Sequence, residues 1–195
     1  DSARRILISR QNDGSLRPFP IWDDVRTFDG RPWRGIVDVV SGGFPCQAYS
    51  TAAAGRNNAD DLWPEMQRIV ADVAPRYVWA ENVSTSAING ACDDLEAMGY
   101  KTKAISLAAS DLGADHIRER HWLLAYADDK SKLLRREHAK VARSAGLSHC
   151  VWSSNPDESR MVDGLAPRMD RFEATGNGQV PIVAVAALIS LIDSN

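Results

Sequence analysis

Gly35-Ile36-Val37-Asp38-Val39-Val40-Ser41-Gly42-Gly43-Phe44-Pro45-Cys46 sets the fold class of this chain. Ile36 to Val40 is an apolar run bounded by glycines, which reads as a buried β-strand. After a segment of small and polar residues (Ser50 to Asn58, read as a mobile loop), Asp61 to Ala74 carries Leu62, Met66, Ile69, Val70 and Val73 at helical spacing, and Pro75 ends the helix. Arg76 to Ala80 reads as a second strand, closed by Glu81-Asn82-Val83. Strand, helix, strand implies a right-handed parallel crossover, hence an α/β doubly wound sheet. Parallel strands end at one edge of the sheet. Cys46 and Glu81, each expected just past a strand end, should therefore face one crevice. Glycines allow the sharp turn after the first strand, and Pro45 fixes φ beside the thiol, so Cys46 reads as a presented side chain. The competing reading is a strand-end cysteine packed as a small hydrophobe.

Further elements follow outward from this unit. Ala3 to Ser9 reads as a helix and Ile21 to Val25 as a short strand ending in acidic residues. Asp93 to Met98 reads as a helix ended by Gly99, and Tyr100 to Leu107 and His121 to Tyr126 as strands. Val180 to Ile192 is a strongly apolar helix with Pro181 in its first turn. If the strand from His121 runs antiparallel to the others, Arg118 and Arg120 start it at the edge that carries Cys46 and Glu81.

Bulk properties narrow the class. A length of 195 residues fits one domain, and 44% hydrophobic with 25% charged residues is ordinary for a soluble globular protein. A net charge of −3 means that any nucleic-acid contact must come from local charge. Cys46, Cys92 and Cys150 are an odd set without metal-ligand spacing, which points to a reduced compartment and no disulfide framework or metal. No signal peptide is visible, and the run from Val180 to Ile192 is too short to span a bilayer.

Four motifs occur in order: Pro45-Cys46-Gln47, Glu81-Asn82-Val83, Arg118-Glu119-Arg120 and Gly176-Asn177-Gly178-Gln179-Val180-Pro181. Their order and spacing resemble the DNA (cytosine-5) methyltransferase family over nearly the whole chain, and the segments from Trp152 to Arg171 resemble its compact phage and bacterial members. The resemblance implies an S-adenosylmethionine-dependent, Rossmann-like fold and methyl transfer from S-adenosyl-L-methionine to carbon-5 of a flipped cytosine in double-stranded DNA. Restriction–modification is among the roles it suggests. It also implies a cytoplasmic setting in a bacterial or phage-infected cell, with no metal and no membrane partner.

The same resemblance assigns roles. Cys46 would be the nucleophile. Glu81, positioned by Asn82, would hold the nitrogen edge of the cytosine; Arg120, supported by Arg118, would contact its carbonyl oxygen. Asp24 would read the adenine amino group of the cofactor, with Val25, Pro45 and Leu62 lining its pocket and Asn177 and Gly178 closing it. Gln47, Ser50 and Arg56 would meet the DNA. The chemistry suits these residue types. A thiolate adding to carbon-6 makes carbon-5 nucleophilic, and an acid at ring nitrogen 3 stabilises the adduct. Plainer readings stand beside these: Asp24 as the cap of a turn, Arg118-Glu119-Arg120 as a solvated charged face, Gly176-Asn177-Gly178 as a simple turn.

The domain reading is a catalytic core over residues 1–126, a short target-recognition region over 127–175 and a terminal helix over 176–195 that completes the core. Lys130, Lys132, Arg135, Arg136, Lys140 and Arg143 make the middle region basic in its first half, as phosphate contacts would require. Three departures stand out, one being that only Ala127 to Thr175 is available where many family members carry a long variable domain. The family's first strand and Phe-x-Gly-x-Gly loop have no counterpart before Ser41, so the chain is expected to be truncated at its N-terminus or completed by another polypeptide. His116 stands where the family usually has glutamine. The rival functions are the same chemistry on RNA and a non-catalytic remnant that binds nucleic acid or a partner. A papain-like hydrolase lacks an evident histidine for Cys46, His116 and His121 being the only nearby ones.

Overall fold

A computed structural model describes residues 2–45, 61–127 and 179–193. Its strands are β1 (Val39–Gly43), β2 (Tyr77–Asn82), β3 (Lys101–Leu107) and β4 (Arg120–Tyr126), joined in one four-stranded sheet of spatial order β1-β2-β4-β3. β1 and β2 are parallel, with Gly43 opposite Glu81. β4 runs antiparallel to both β2 and β3, with Asn82 opposite His121 and Leu107 opposite Arg120. The start of β4 therefore lies at the edge where β1 and β2 end, as the antiparallel expectation required.

The helices are α1 (Ser2–Asn12), α2 (Trp63–Val73), α3 (Thr85–Ala97) and α4 (Pro181–Asp193). α2 opens with Pro64 in its first turn, while the Trp63 amide donates to Asp61 Oδ1 at 3.0 Å. It ends at Ala74, which adopts a left-handed φ of 47° just before Pro75. Its apolar stripe of Trp63, Met66, Val70 and Val73 is buried, which contributes about 1.5–3 kcal/mol per large side chain. Ser84 caps α3 through its hydroxyl, which accepts from the Ala87 amide.

Alternation along the strands divides the core in two. Val78 and Ala80 of β2, with Leu123 and Ala125 of β4, pack beneath α2 and α3 against Phe44, Trp63, Val70, Ile88 and Leu95. Trp122 and Leu124 face the other way, against Val183, Ala187, Leu191 and Ile192 of α4, with Trp79 stacked on Trp122 at 5.0 Å. The sheet is thus covered on both faces, the doubly wound α/β arrangement expected. No helix among the described residues is long and apolar enough to cross a membrane.

Three expectations need correction. Ile21 to Val25 is not a strand: residues 21–24 are irregular and a 3-10 turn follows at Val25–Thr27. Pro18 and Pro20 remove donors just upstream, and Asp24 turns its carboxylate onto the Arg26 amide at 3.0 Å, offering the backbone a local bond instead of a ladder. The strand expected from Ile36 begins only at Val39, because Gly35 (φ 76°) breaks the path and the Ile36 and Val37 amides both bond back to the Trp33 carbonyl. Nor is that strand buried, since Ile36 is 70% and Val39 50% exposed on the sheet's outer edge. Finally, α3 starts eight residues before the helix expected at Asp93, because Ser84 supplies its N-cap.

Candidate active site

Glu81 is the last but one residue of β2, not a residue beyond its end. Strand alternation turns it to the Trp79, Trp122 and α4 side of the sheet, where Arg120 of β4 also points. Glu81 Oε1 and Arg120 Nε are 3.0 Å apart, with side chains only 13% and 19% exposed. Burial pushes the Glu81 carboxyl above the ordinary 4.5; Arg120, a side-chain hydrogen bond from Gln179, Arg118 and His121 pull it back. Arg118 is itself lowered, first by burial and then by Arg120, with Glu81 acting against both. The result is a carboxyl whose ionised form is held by positive charge and whose neutral form is favoured by its surroundings. Such a group is poised to exchange a proton with a ligand.

Gly43 is the reason this carboxyl can lie where it does. A Cβ at Gly43 would stand 2.8 Å from Glu81 Oε2 and 3.7 Å from Gln179 Nε2. Only a residue without a side chain lets the acid cross the end of β1.

Asn82 faces the opposite side and is 2% exposed. Its Nδ2 donates to the Phe44 carbonyl at 2.8 Å, and its Oδ1 accepts from the Ser84 amide at 2.9 Å. It therefore ties the exit of β1 to the start of α3. His121, its register partner, bonds Ser106 at 2.6 Å and Thr85 at 3.2 Å, which adds β3 to the same frame. Phe44 is further held by packing on Trp63, ring centroids 4.9 Å apart.

Beside this frame lies an open cleft of about 310 Å³, lined by Val25, Val40, Ser41, Gly42, Gly43, Phe44, Pro45, Leu62, Met66 and Ile69. It sits at the carboxyl end of β1, where open α/β sheets bind ligands. Its walls are apolar side chains and its floor is the glycine backbone of β1, so a flat heteroaromatic ring fits its chemistry. Asp24 caps the turn that delivers Val25 to the cleft. Among the described residues, no group of three or more His, Cys, Asp or Glu side chains could hold a metal ion.

Comparison with known proteins places this arrangement. The family model for C-5 cytosine-specific DNA methylase matches residues 16–164. The chain belongs to that family. It is 26% identical over 162 residues to Type II methyltransferase M.CviJI of Paramecium bursaria Chlorella virus IL3A, covering 80% of this chain and 41% of the relative. Against Type II methyltransferase M.NgoMIV of Neisseria gonorrhoeae it is 29% identical, over 56% of this chain and 39% of the relative. The chain thus spans about two fifths of the length of these curated relatives. Among solved structures, the S. pombe Dnmt2 methyltransferase matches at 19% identity and a TM-score of 0.45, covering 85% of this chain and 55% of that one.

Within this methylase-family chain, the structure brings together Glu81, Arg120 and Arg118 on one face of the sheet, sets Asn82 on the opposite face, and gathers Val25, Pro45 and Leu62 at the cleft, with Asp24 capping the turn that begins at Val25. Cys46, Gln47, Ser50, Arg56, Asn177 and Gly178 lie outside the described residues, as do the Ser50 to Asn58 loop and the basic residues from Lys130 to Arg143. His116 is placed in the turn before β4, beside Asp115 at 3.3 Å. Three contributors escaped the sequence reading. The sequence suggests a sharp turn at Gly43, places Gln179 in the Gly176 to Pro181 motif without a role of its own, and offers His121 as the start of a strand and as a histidine near Cys46. The pleat of β4 could have signalled the face of His121, whereas Gly43 and Gln179 act through contacts between elements far apart in sequence.

Proposed function

We propose that the protein transfers a methyl group from S-adenosylmethionine to carbon-5 of cytosine in DNA, through a covalent adduct on Cys46 with the base flipped out of the duplex. The observation that carries this reading is the buried Glu81–Arg120 pair beside Asn82, whose side chain holds the Phe44 carbonyl two residues before Cys46. Membership of the cytosine-5 family supports it.

Cys46 Sγ, as thiolate, attacks carbon-6 of the extruded base. The charge this drives toward ring nitrogen 3 is met by a proton from Glu81, whose other oxygen accepts from the 4-amino group. Arg120, backed by Arg118, fixes the Glu81 carboxyl and offers donors to the carbonyl oxygen of the base. Asn82 keeps the β1 exit, and so the approach of Cys46, in register with Glu81. S-adenosylmethionine supplies the electrophilic methyl group that the activated carbon-5 accepts. Val25, Pro45 and Leu62 would hold its adenine in the apolar cleft, Asp24 would accept from the adenine amino group, and Asn177 and Gly178 would close the pocket. A base then takes the carbon-5 proton, the Cys46 thiolate leaves as the 5,6 double bond re-forms, and ring nitrogen 3 returns its proton to Glu81. Gln47, Ser50 and Arg56 would follow the DNA, with residues 127–175 as the target-recognition region and the segment 176–195 completing the core. A strand and glycine loop supplied upstream or by a second polypeptide would complete the cofactor site. The setting is the cytoplasm of a bacterial or phage-infected cell.

The test is denaturing electrophoresis after incubation with 5-fluorocytosine DNA and S-adenosylmethionine. Fluorine cannot leave as a proton does, so the enzyme should stay attached. The chain is run alone, joined to an upstream segment bearing the strand and glycine loop, and as Cys46→Ala. An adduct that depends on Cys46 supports the reading; an adduct only with the upstream segment assigns that segment to cofactor binding. Absence of an adduct in every form, or an adduct on RNA alone, overturns it.

A further inference from the structure

Gln179 precedes α4 by two residues and is exposed, yet its side-chain amide reaches the Glu81 carboxyl over Gly43 and lowers its pKa as a donor would. The geometry is specific. Gln179 Nε2 and Glu81 Oε2 both converge over Gly43, at 3.7 and 2.8 Å from the point a Cβ would occupy there. Arg120 Nε meets the other oxygen, Oε1, at 3.0 Å. The two grips come from different parts of the fold: Arg120 from the start of β4 and Gln179 from the segment that enters the helix on the far layer. That helix is anchored by Val183, Ala187, Leu191 and Ile192 on Trp122 and Leu124. Trp122 is also the register partner of Glu81.

We propose that Gln179 is a positioning residue for Glu81, the amide that holds the carboxyl across Gly43 and couples the seating of α4 to the orientation of the acid. This rests on the reading of Glu81 as the group that protonates the base. Arg120 alone leaves the carboxyl free to rotate about its contact with Nε; a second donor over Gly43 sets the plane. Among the described residues, Gln179 is also the only neutral side chain in the set acting on Glu81. The charged or titratable members, Arg120, Arg118 and His121, all belong to β4 or to the turn before it, and β1 contributes the backbone of Gly43. Removing the amide therefore changes a hydrogen bond without changing the charge of the site.

The experiment follows the Glu81 carboxyl carbon by 13C NMR through a pH titration, assigned with Glu81→Gln, in the wild-type chain, Gln179→Met and Gln179→Glu. Methionine keeps the length of glutamine and loses the donor. Because residue 179 is exposed, these variants retain the fold, which the spectra check directly. The Glu81 midpoint is expected to rise by about half to one pH unit in Gln179→Met. It should rise further in Gln179→Glu, where an ionised neighbour adds repulsion. In the 5-fluorocytosine assay, the alkaline limb of the adduct-forming rate should move up with it while the KM for DNA stays unchanged. An unmoved Glu81 midpoint in both variants overturns the assignment. A midpoint that moves in an adduct-forming protein whose Glu81→Gln variant forms the adduct at the wild-type rate keeps the clamp and removes the catalytic reading of Glu81, so the two failures are distinct.

Discussion

The two sides of the crevice are built differently. On the acid side, Glu81 and Arg120 sit on β2 and β4, the inner strands of the sheet, and each is fixed by neighbours on the same face. On the cleft side, β1 is an edge strand, and Val25 and Leu62 reach the cavity from a 3-10 turn and the cap of α2. Exposure follows the same division. The Glu81 and Arg120 side chains are 13% and 19% exposed, whereas Val25 at the cleft is 36% and Val39 of β1 50% exposed. Charge stabilisation needs dipoles that do not reorganise during reaction, and the inner strands suit the proton-handling role proposed for Glu81 and Arg120. A pocket for a flat ring needs shape and apolar area, which turns and helix ends can supply.

Four results would sharpen or break this contrast. Glu81→Gln keeps the volume of the acid and removes its proton. It should lower adduct formation by about 10²–10⁴-fold with the fold intact by circular dichroism. A loss of less than tenfold would mean that the acid side is structural. Gly43→Ala comes next, since the new Cβ would lie 2.8 Å from Glu81 Oε2 and must push it aside. A displacement of this kind should cost up to about 100-fold in rate. Thermal stability should stay close to wild type because the carboxyl end can yield; an unfolded variant would show that the strand itself cannot accept the methyl group. Leu62→Ala acts on the other side. It should weaken S-adenosylmethionine binding by about fivefold in calorimetry, the equivalent of ~1 kcal/mol of apolar contact, and leave the Glu81 titration untouched. A shifted titration would join the two sides into one unit.

The smallest effect is on stability against pH. Burial raises Glu81 above 4.5 in the folded state, so the folded protein binds the proton more tightly than the unfolded chain. Stability then falls as pH rises from about 4.5 through the folded midpoint, because ionisation is opposed only in the native state. Denaturant melts of wild type and Glu81→Gln at paired pH values should show the wild type losing ground over that window. Parallel curves would mean that Arg120, Arg118 and Gln179 cancel the burial cost.

Much of the acid side was legible in the sequence. The strand–helix–strand unit from Val39 to Asn82 follows from apolar periodicity and from Pro75, and it alone puts the ends of β1 and β2 at one edge. The antiparallel run of β4 then brings Arg120 beside Glu81. The cleft side was less legible. Trp22-Asp23-Asp24-Val25 carries strand-like residues, but Asp24 satisfies the Arg26 amide and the prolines before it interrupt any ladder. Ile36 is apolar yet exposed, because Gly35 turns the chain back on Trp33. Gln179 and Gly43 matter through contacts between elements far apart in sequence, and local pattern holds no record of those.

The most direct test is to locate the covalent bond. Wild-type protein trapped on 5-fluorocytosine DNA with S-adenosylmethionine would be digested with protease and nuclease, and the modified peptide read by mass spectrometry. The account predicts a single nucleotide adduct on Cys46, carrying both the fluorine and the added methyl group. An adduct on Cys92 or Cys150, or a trapped base at Cys46 without the methyl group, would contradict it.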